Sequence, residues 1–503
     1  MLGALFTSCD MDLTPQGTLG DGTELTFEDM TKLRNGMYSG FRGACAGAYL
    51  AYPDIMMDQF NGTLDNGNRL GVIANKQFNS STGEFESVYN ACYGGIASVN
   101  YVLGELEKFE ASNTVVGEDK LLLDLYIGEA KFFRAYRYWY LFDHFCQHYT
   151  ADKANTPALG LSLQMTYNPN GVSSNYPGRS TMQETIDVIK NDLTDAYNAL
   201  VAYEVMNDAN LASGAKYLSS NIVKAFEARV CLGLDDYAGA IAAAEPVVNS
   251  GLYPLTPATA YEQLWSSDAG TELLMSPFAS ATEGGGTSMF GYYNSTNTEN
   301  AADYIPSEDV LLMYEDGDVR FESFFLAKQL NIQTTDYLTF VFYKYPGNSE
   351  MAGNGRINKP KPFRASELYL ILAEAYAMQG TDPGKGLGYL NDLLEARYEA
   401  GKFTELVLQG SALIERIREE RAKEFIGEGF RMSDLKRWGI GFTRNINYPA
   451  IDQIAGNADP LKNALNPLGA LSYEPNDYHY TWPIPASEMD INPQLEGQQN
   501  PGY

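Results

Sequence analysis

Hydrophobic residues recur at helical spacing along most of the chain. A first helix is predicted over 26–41, because its apolar residues lie three or four positions apart: Met30, Leu33, Met37 and Phe41. The same spacing predicts further helices, over 84–109, 121–145, 181–203 and 217–233. The predicted fold class is therefore mainly α.

Segment 121–145 carries aromatic residues on almost every side of its predicted helix. A helix that is apolar all round is buried in a protein core. Arg134 and Arg137 lie within this segment, and an unpaired buried charge is costly. We therefore expect each arginine to have a carboxylate or carbonyl partner, in a structural role.

Two segments have the pattern of a tetratricopeptide repeat, in which small residues let paired helices approach closely. Segment 232–251 has a Gly-Leu-Asp-Asp-Tyr turn followed by Ala240 and Ala244. Segment 373–394 repeats this arrangement, with glycine and proline at its turn. The helices over 84–109 and 121–145 are expected to form another pair, so the prediction is a scaffold of tetratricopeptide-like helix pairs.

Two stretches interrupt the helical pattern and predict long loop insertions on the scaffold. Segment 52–79 is rich in Asn, Gly and Asp, and segment 266–356 contains a Gly/Asn/Tyr-rich loop. A few short strands are predicted in the second insertion, over 271–280 and 336–346. Long ordered loops usually carry function.

Near the C-terminus, segment 413–439 predicts two short helices separated by Gly427 and Gly429. Ser433 is the predicted cap of the second helix. The first helix is densely charged, with opposite charges four residues apart in Glu419–Lys423 and Arg416–Glu420. Periodicity alone predicts that these charges face solvent.

The string ERAKEFIGEGFRMSDLKRWG at 420–439 resembles the C-terminal helix–turn–helix of the SusD/RagB family of outer-membrane glycan-binding lipoproteins. The ending YTWPIPASEMDINPQLEGQQNPGY is similar to the closing segment of the same family. Two further stretches fit, at 127–145 and 361–380. Each motif is weak alone, but four in this order are specific.

The resemblance implies one SusD-like domain over 26–503, with loop insertions on a helical-repeat scaffold. It implies a cell-surface protein that binds an oligosaccharide or polysaccharide without catalysis and without a cofactor. The implied partner is a SusC-like TonB-dependent transporter, which receives the glycan. Two alternatives stay open at this point: a glycoside hydrolase, and a structural adaptor that binds only the transporter.

Charge and hydropathy narrow the function classes. The chain has 35 basic and 64 acidic residues, a formal net charge of −29. The negative electrostatic potential of such a chain repels nucleic acid and anionic membrane surfaces. No apolar run reaches the roughly 18 residues that a membrane-spanning helix needs.

The first nine residues, MLGALFTSC, read as the end of a bacterial lipoprotein signal, with Cys9 as the lipidated residue. The charged start of such a signal is missing, so the numbered sequence is expected to begin within it. Residues 10–25 are polar and contain Pro and Gly, and we interpret them as a tether. This predicts a lipid anchor in the outer membrane.

Glycans bind through stacking of sugar faces on aromatic rings and through hydrogen bonds to polar side chains. The two loop insertions offer both kinds of group. The first insertion contributes Asp58, Phe60, Asn61, Asn66, Asn68 and Arg69. The second contributes Phe290, Tyr292, Tyr293, Asn294 and Tyr304. These residues are the predicted glycan-binding set.

Other candidate chemistry gives weaker signals. His144 and His148 have the spacing of a zinc pair but lack a third ligand nearby, so no metal site is predicted. The run Glu315-Asp316-Gly317-Asp318 lacks the remaining ligands of a calcium loop and is expected to be a solvated turn. Buried free thiols are expected at Cys45, Cys92, Cys146 and Cys231, which lack metal-type spacing.

Overall fold

The computed structural model describes residues 25–66, 69–169, 171–207, 211–280, 282–283, 287–288, 294–295, 300–351 and 357–503. Its N-terminal half contains the helices α1 (Phe27–Ala44), α2 (Ala48–Ile55), α3 (Gly71–Ala74), α4 (Gly83–Ser112), α5 (Glu118–Phe145), α6 (Met182–Asn207), α7 (Ser220–Gly233) and α8 (Tyr237–Asn249). The remaining helices are α9 (Tyr261–Ser266), α10 (Glu308–Leu311), α11 (Val319–Phe324), α12 (Ala365–Gln379), α13 (Pro383–Glu395), α14 (Ser411–Glu424), α15 (Arg431–Trp438), α16 (Pro449–Ala455) and α17 (Ala486–Ile491). The fold is mainly α, as the hydrophobic spacing predicts.

The scaffold is a stack of helices in which each long helix packs on its neighbour in the chain, from α4 through α8, and α8 packs on α12 and α12 on α13. Ala240 and Ala244 are fully buried on α8, in agreement with the predicted repeat. A Cβ atom at Gly128 would lie 2.6 Å from the Ala199 Cβ, so α5 and α6 touch at a point where only glycine fits. The tetratricopeptide-like pairing is therefore confirmed.

The two arginines of α5 have the partners that their burial requires. Arg134 donates from Nε and Nη2 to the Asp192 carboxylate, both at 2.8 Å. Arg137 donates to the carbonyl oxygen of Phe133 at 3.3 Å. Both arginines are buried structural residues, as predicted.

The strands are short, and the described ones pair two by two. They are β1 (Phe60–Gly62), β2 (Leu273–Met275), β3 (Thr287–Ser288), β4 (Asn294–Ser295), β5 (Asn300–Ala301), β6 (Tyr304–Pro306), β7 (Phe325–Ile332), β8 (Thr335–Phe342), β9 (Ile357–Asn358), β10 (Phe363–Arg364), β11 (Phe442–Arg444) and β12 (Leu471–Tyr473). The pairs are β1–β6, β2–β10, β3–β9, β4–β5, β7–β8 and β11–β12, all antiparallel.

Segment 52–79 differs from the prediction of one long loop. It contains the end of α2, then β1, a 3-10 turn over 64–66 and α3. Its Asn, Gly and Asp residues mark the turns between these short elements, which sequence periodicity cannot resolve at lengths of three or four residues. The insertion contributes Phe60 and Ile73 to the core, where both are fully buried.

The helix–turn–helix is confirmed in α14 and α15, and its turn uses the predicted glycines. Gly427 and Gly429 have φ angles of +77° and +82°, in the left-handed region that favours glycine. A Cβ at Gly427 would also come within 2.3 Å of the Phe342 ring. The predicted cap is wrong, because α15 begins at Arg431 and Ser433 lies inside it.

The charged face of α14 is buried, which contradicts the prediction that it faces solvent. Glu420, Lys423 and Glu424 are all fully inaccessible. Arg416 and Glu420 do form the predicted pair, at 3.4 Å. Lys423 instead pairs with Glu315, at 2.6 Å.

Glu424 is the centre of this buried charge cluster. Its carboxylate accepts hydrogen bonds from Arg320 at 3.1 Å, from Arg364 at 2.8 Å and from Arg397 at 3.0 Å. Arg364 and Arg397 also bind Glu272. Burial alone would raise the pKa of Glu424, but the surrounding arginines outweigh it and hold the pKa well below its usual range.

The acidic turn 315–318 is exposed at Glu315 and Asp316, as predicted for a solvated turn, but Asp318 is buried in the same cluster. Asp318 is buried and binds Arg320 at 2.7 Å. Glu315 accepts from Lys423 and Arg416. These carboxylates serve as counter-ions for buried cations.

The four cysteines of the described chain are buried and free, as expected: Cys45, Cys92, Cys146 and Cys231.

Among the helices of the described residues, none combines the length and the apolar character needed to cross a bilayer.

We expect Glu424→Gln to lower the free energy of unfolding by about 3–5 kcal/mol, because it leaves three buried arginines without their shared anion. Denaturant unfolding followed by circular dichroism measures this loss. Since the native pKa of Glu424 lies below its usual value, the cluster stabilises the fold at neutral pH, and that stability is lost as the pH falls below about 4.5.

Glu415→Gln is the matched control, because Glu415 is exposed on the same helix. This substitution should change the free energy of unfolding by no more than about 0.5 kcal/mol. Equal small effects of both substitutions would show that the cluster does not hold the fold.

Candidate functional site

The two predicted insertions meet on one side of the scaffold through the pairing of β1 with β6. Phe60 lies opposite Pro306, and Gly62 lies opposite Tyr304. The ladder continues beyond the strands, where the Thr63 amide donates to the Asp303 carbonyl at 2.9 Å. Loops that are far apart in sequence therefore form one surface.

Phe60 and Tyr304 are placed by this pairing inside the core, which corrects their predicted role in stacking. Phe60 is fully buried and packs edge-on against Phe342, with ring centroids 5.3 Å apart. Tyr304 is 1% exposed, and its hydroxyl donates to the Arg69 carbonyl at 2.7 Å. Neither ring offers a face to a ligand, because each packs beneath the strand pair.

Asp58 and Asn61 are likewise engaged within the protein. Asp58 binds Arg431 of α15 through two hydrogen bonds, at 2.8 and 2.5 Å. Burial would raise the pKa of Asp58, but Arg431 outweighs it and keeps that pKa below its usual value. Asn61 is buried and donates to Asn445 and Tyr448. Both side chains fasten the insertion to the scaffold.

Among the predicted residues, Arg69 lies on the surface, where a ligand can reach it. Its side chain is 64% exposed and donates to the Asp303 carboxylate at 2.6 Å. Burial raises the pKa of Asp303, and the positive charge of Arg69 opposes that rise. The pair links the two insertions and presents both a donor and an acceptor at the surface.

Asp65 and Gln333 form a second polar link that the sequence analysis missed. The Gln333 side chain donates to the Asp65 carboxylate at 2.6 Å, and both residues are exposed. We use the name loop face for the polar groups joined by these two links, of which Asp303 is partly buried and the other three are exposed. The loop face consists of Asp65, Arg69, Asp303 and Gln333.

Gln333 lies at the tip of the β7–β8 hairpin, of which only the second strand was predicted. The turn residues Gln333 and Thr334 have φ angles of +49° and +67°. Such two-residue turns usually contain Asn-Gly or Asp-Gly, and Gln-Thr lacks that signal. The alternation of apolar residues over 325–332 is the only sequence signal that could have indicated the hairpin.

Arg444 is buried and anchors the backbone of the first insertion. It was not among the predicted residues. It is 3% exposed and donates to the carbonyl oxygens of Ile55 and Met57, at 2.9 and 3.0 Å. It also donates to the carbonyls of Ala74 and Gly469. One guanidinium thus fixes both ends of the 55–74 backbone that supports the loop face.

Several predicted residues have no described side chain. Asn66 closes the 3-10 turn of the first insertion, and Asn294 lies in β4 opposite Ala301. The others lie outside the described residues: Cys9, Asn68, Phe290, Tyr292 and Tyr293. Tyr292 and Tyr293 lie in the chain between β3 and β4, and Asp303 of the loop face lies between β5 and β6.

The described residues contain no group of three metal-ligating side chains. His144 is buried, and its Nδ1 lies 2.9 Å from the Tyr140 carbonyl oxygen. His148 faces Asp235 at 2.9 Å. The two histidines therefore have different partners.

This architecture defines a class: a tetratricopeptide-like helical scaffold that carries paired loop insertions on one side. A model described as the SusD family matches residues 287–503. A second model, described as starch-binding associating with outer membrane, matches residues 29–213. The chain belongs to the SusD/RagB family.

Solved structures and a curated relative agree with this assignment. A SusD superfamily protein of Bacteroides thetaiotaomicron has a TM-score of 0.74 at 24% identity, with 95% of this chain and all of that chain covered. Surface glycan-binding protein A of Bacteroides fluxus has a TM-score of 0.65 at 17% identity, with 95% and 100% covered. SusD-like protein P25 of Formosa agariphila is 29% identical over 148 residues, 28% of this chain and 24% of that relative. The chain thus matches about a quarter of the curated relative's length.

We expect Phe60→Ala to lower the free energy of unfolding by about 3–5 kcal/mol, because it leaves a cavity under the strand pair. Leu64→Ala is the control, since Leu64 is 38% exposed in the same insertion and should change stability by about 0.5 kcal/mol or less. Chemical denaturation measures both. A Phe60→Ala protein of unchanged stability would contradict the core role assigned to this ring.

Proposed function

We propose that this protein is a cell-surface lipoprotein that binds an oligosaccharide or polysaccharide without catalysis. It passes the glycan to a SusC-like TonB-dependent transporter in the outer membrane. The observation that carries the proposal is the meeting of the two insertions at the β1–β6 pair, which creates the loop face on a helical scaffold. Family membership and the names of relatives support the glycan as ligand.

The chemistry of the loop face suits a neutral, hydroxyl-rich ligand. Its described groups comprise two carboxylates, one guanidinium and one amide, which together accept and donate hydrogen bonds. Arg69 neutralises Asp303, and the Asp65 carboxylate accepts from the neutral Gln333 amide, so hydroxyl groups can donate to the remaining lone pairs of the Asp65 oxygens. Tyr292 and Tyr293 are the proposed stacking rings, supplied by the segment between β3 and β4.

The same pairs argue against a glycoside hydrolase at the loop face. A hydrolase needs one protonated carboxylic acid and one free carboxylate on either side of the scissile bond. Asp303 already accepts from Arg69, and Asp65 from Gln333. A reducing-end assay with bound glycans tests this directly, and sugar release that is lost in Asp65→Asn or Asp303→Asn would favour the hydrolase.

Binding is tested by a glycan array followed by calorimetry on the soluble chain that starts after Cys9. With the glycan that binds, Tyr292→Ala or Tyr293→Ala should weaken affinity by about 1–3 kcal/mol, as for other stacking aromatics. Lys108→Ala is the control, because Lys108 is an exposed, ion-paired residue of α4. Unchanged affinity in both tyrosine variants would remove this segment from the site.

The lipid anchor is tested by Cys9→Ser in the full-length precursor. We expect a folded protein that leaves the membrane fraction, because the acyl chains supply about 0.8 kcal/mol per buried CH₂. Cell fractionation measures the distribution, with circular dichroism as the control for folding. A Cys9→Ser protein that stays in the membrane fraction after a salt wash would contradict anchoring at this residue.

Transfer to a transporter predicts a stable complex in the outer membrane. Affinity purification of the full-length protein from solubilised membranes should retain a TonB-dependent transporter. A protein that binds glycan but retains no transporter would restrict the proposal to glycan capture. A protein that retains the transporter and binds no glycan would favour the adaptor.

A further inference from the structure

An open groove of about 700 Å³ lies where the C-terminal end of α13 meets α12 and the segment 255–259 that precedes α9. Residues within 398–403, after α13, form the rest of its wall. None of the four loop-face residues lines it. The groove is therefore separate from the proposed glycan surface.

Aromatic rings form much of the groove wall. They belong to Tyr369 on α12 and to Tyr398 and Phe403 after α13. The rings of Tyr398 and Phe403 pack together with centroids 5.8 Å apart, and Tyr369 packs edge-on against Tyr389 at 5.8 Å. Tyr369 and Phe403 are only partly buried, so each ring keeps a surface that a ligand can contact.

Two carboxylates at this groove lack a counter-ion. Asp392 and Glu395 lie one turn apart on α13, and both are exposed and line the groove. Burial and the negative charge of Glu395 raise the pKa of Asp392, and no cation among the described residues opposes that rise. Arg397, the next basic residue along the chain, is fully buried and binds Glu272 and Glu424 instead.

The groove has a net negative charge. None of the described residues that line it is basic, and a third acid, Glu399, also lines it. Lys402 forms an ion pair with Asp316 at 2.7 Å. Asp316 and, to a smaller extent, Glu399 raise the pKa of Lys402, so this lysine balances charge on that side of the groove only. Asp392 and Glu395 remain the unbalanced acidic edge.

A groove with aromatic walls and an acidic edge is complementary to a cation on an apolar stem. Lysine and arginine side chains combine the two, because the stem covers apolar surface while the charged end reaches a carboxylate. Aromatic faces attract the same cations. The groove is more open than enclosed, so it leaves a single small cation largely in water, whereas a chain segment fills it with several side chains.

The charge of this chain indicates that the segment comes from another protein. Residues 1–24, which precede the described part of the chain, contain neither Lys nor Arg. A second copy of the chain also has a formal net charge of −29, so two copies repel each other.

We propose that this groove is a docking site for a basic segment of a partner protein, one that carries Lys or Arg side chains. Asp392 and Glu395 bind the cationic ends of these side chains. Tyr369 and Phe403 contact their apolar stems. The proposal is independent of the glycan role of the loop face.

The test uses the soluble chain that starts after Cys9 and a fluorescent, acetylated hexalysine peptide. Fluorescence anisotropy at low ionic strength should show saturable binding, because salt screens exposed ion pairs. Asp392→Asn combined with Glu395→Gln should weaken binding about threefold to tenfold, the effect of two exposed ion pairs. Both side chains are exposed, so this variant should fold, and circular dichroism checks that it does.

Two controls separate the groove from the overall charge of the protein. Glu107→Gln combined with Glu415→Gln removes the same two charges at exposed positions outside the groove, and should change the affinity less than about twofold. Phe403→Leu leaves the charge unchanged and should weaken binding about twofold to fivefold, the size of an exposed cation–π contact. Phe109→Leu on α4 is its matched control and should bind the peptide normally.

Equal weakening by the two double variants would overturn the proposal, because the peptide would then respond only to net charge. Absence of saturable peptide binding would also overturn it. n-Butylamine carries one ammonium group on a four-carbon stem and should bind more weakly than the peptide. Equal affinity for n-butylamine would overturn the docking of a segment and leave a site for small amines.

Discussion

The Glu424 carboxylate, shared by three buried arginines, is the interaction on which the rest of the structure depends. Its partners come from three places in the chain: Arg320 on α11, Arg364 on β10 and Arg397 after α13. Glu272, near the start of the second insertion, binds Arg364, which follows its end, at 2.7 Å. The cluster therefore closes the base of that insertion and ties it to α14.

A rigid base explains how a loop surface can be built from distant segments. The insertion that begins near Glu272 and returns at Arg364 carries β6 and the β7–β8 hairpin. Arg431, four residues after Gly427, binds Asp58 and so connects the helix–turn–helix to the other insertion. The same motif thus positions both halves of the loop face, although it contributes no residue to it.

The helical scaffold could be predicted from the sequence because its signal is local. Apolar residues three or four positions apart identify a helix without knowledge of its neighbours, and α4 to α8 follow that pattern. The burial of Glu420 and Glu424 could not be predicted this way. Periodicity counts a charged residue as exposed, and the arginines that reverse this lie far away in sequence.

The candidate site was only partly predictable for the same reason. The composition of the insertions identified the two segments that meet at the β1–β6 pair, but Phe60 and Tyr304 pack inside because of that pairing, a contact that no local pattern encodes. Gln333 was missed because its turn lacks glycine and asparagine. Arg69 could be identified, since an arginine among Asn and Gly residues needs no distant partner to reach the surface.

Hydrogen–deuterium exchange of the soluble chain, with and without the glycan that it binds, tests whether the two insertions form one binding surface. We expect the glycan to protect both insertions at once, around 62–70, 300–306 and 331–335. Protection confined to one insertion, or located on the helices of the scaffold, would contradict the claim that the two insertions form one binding surface.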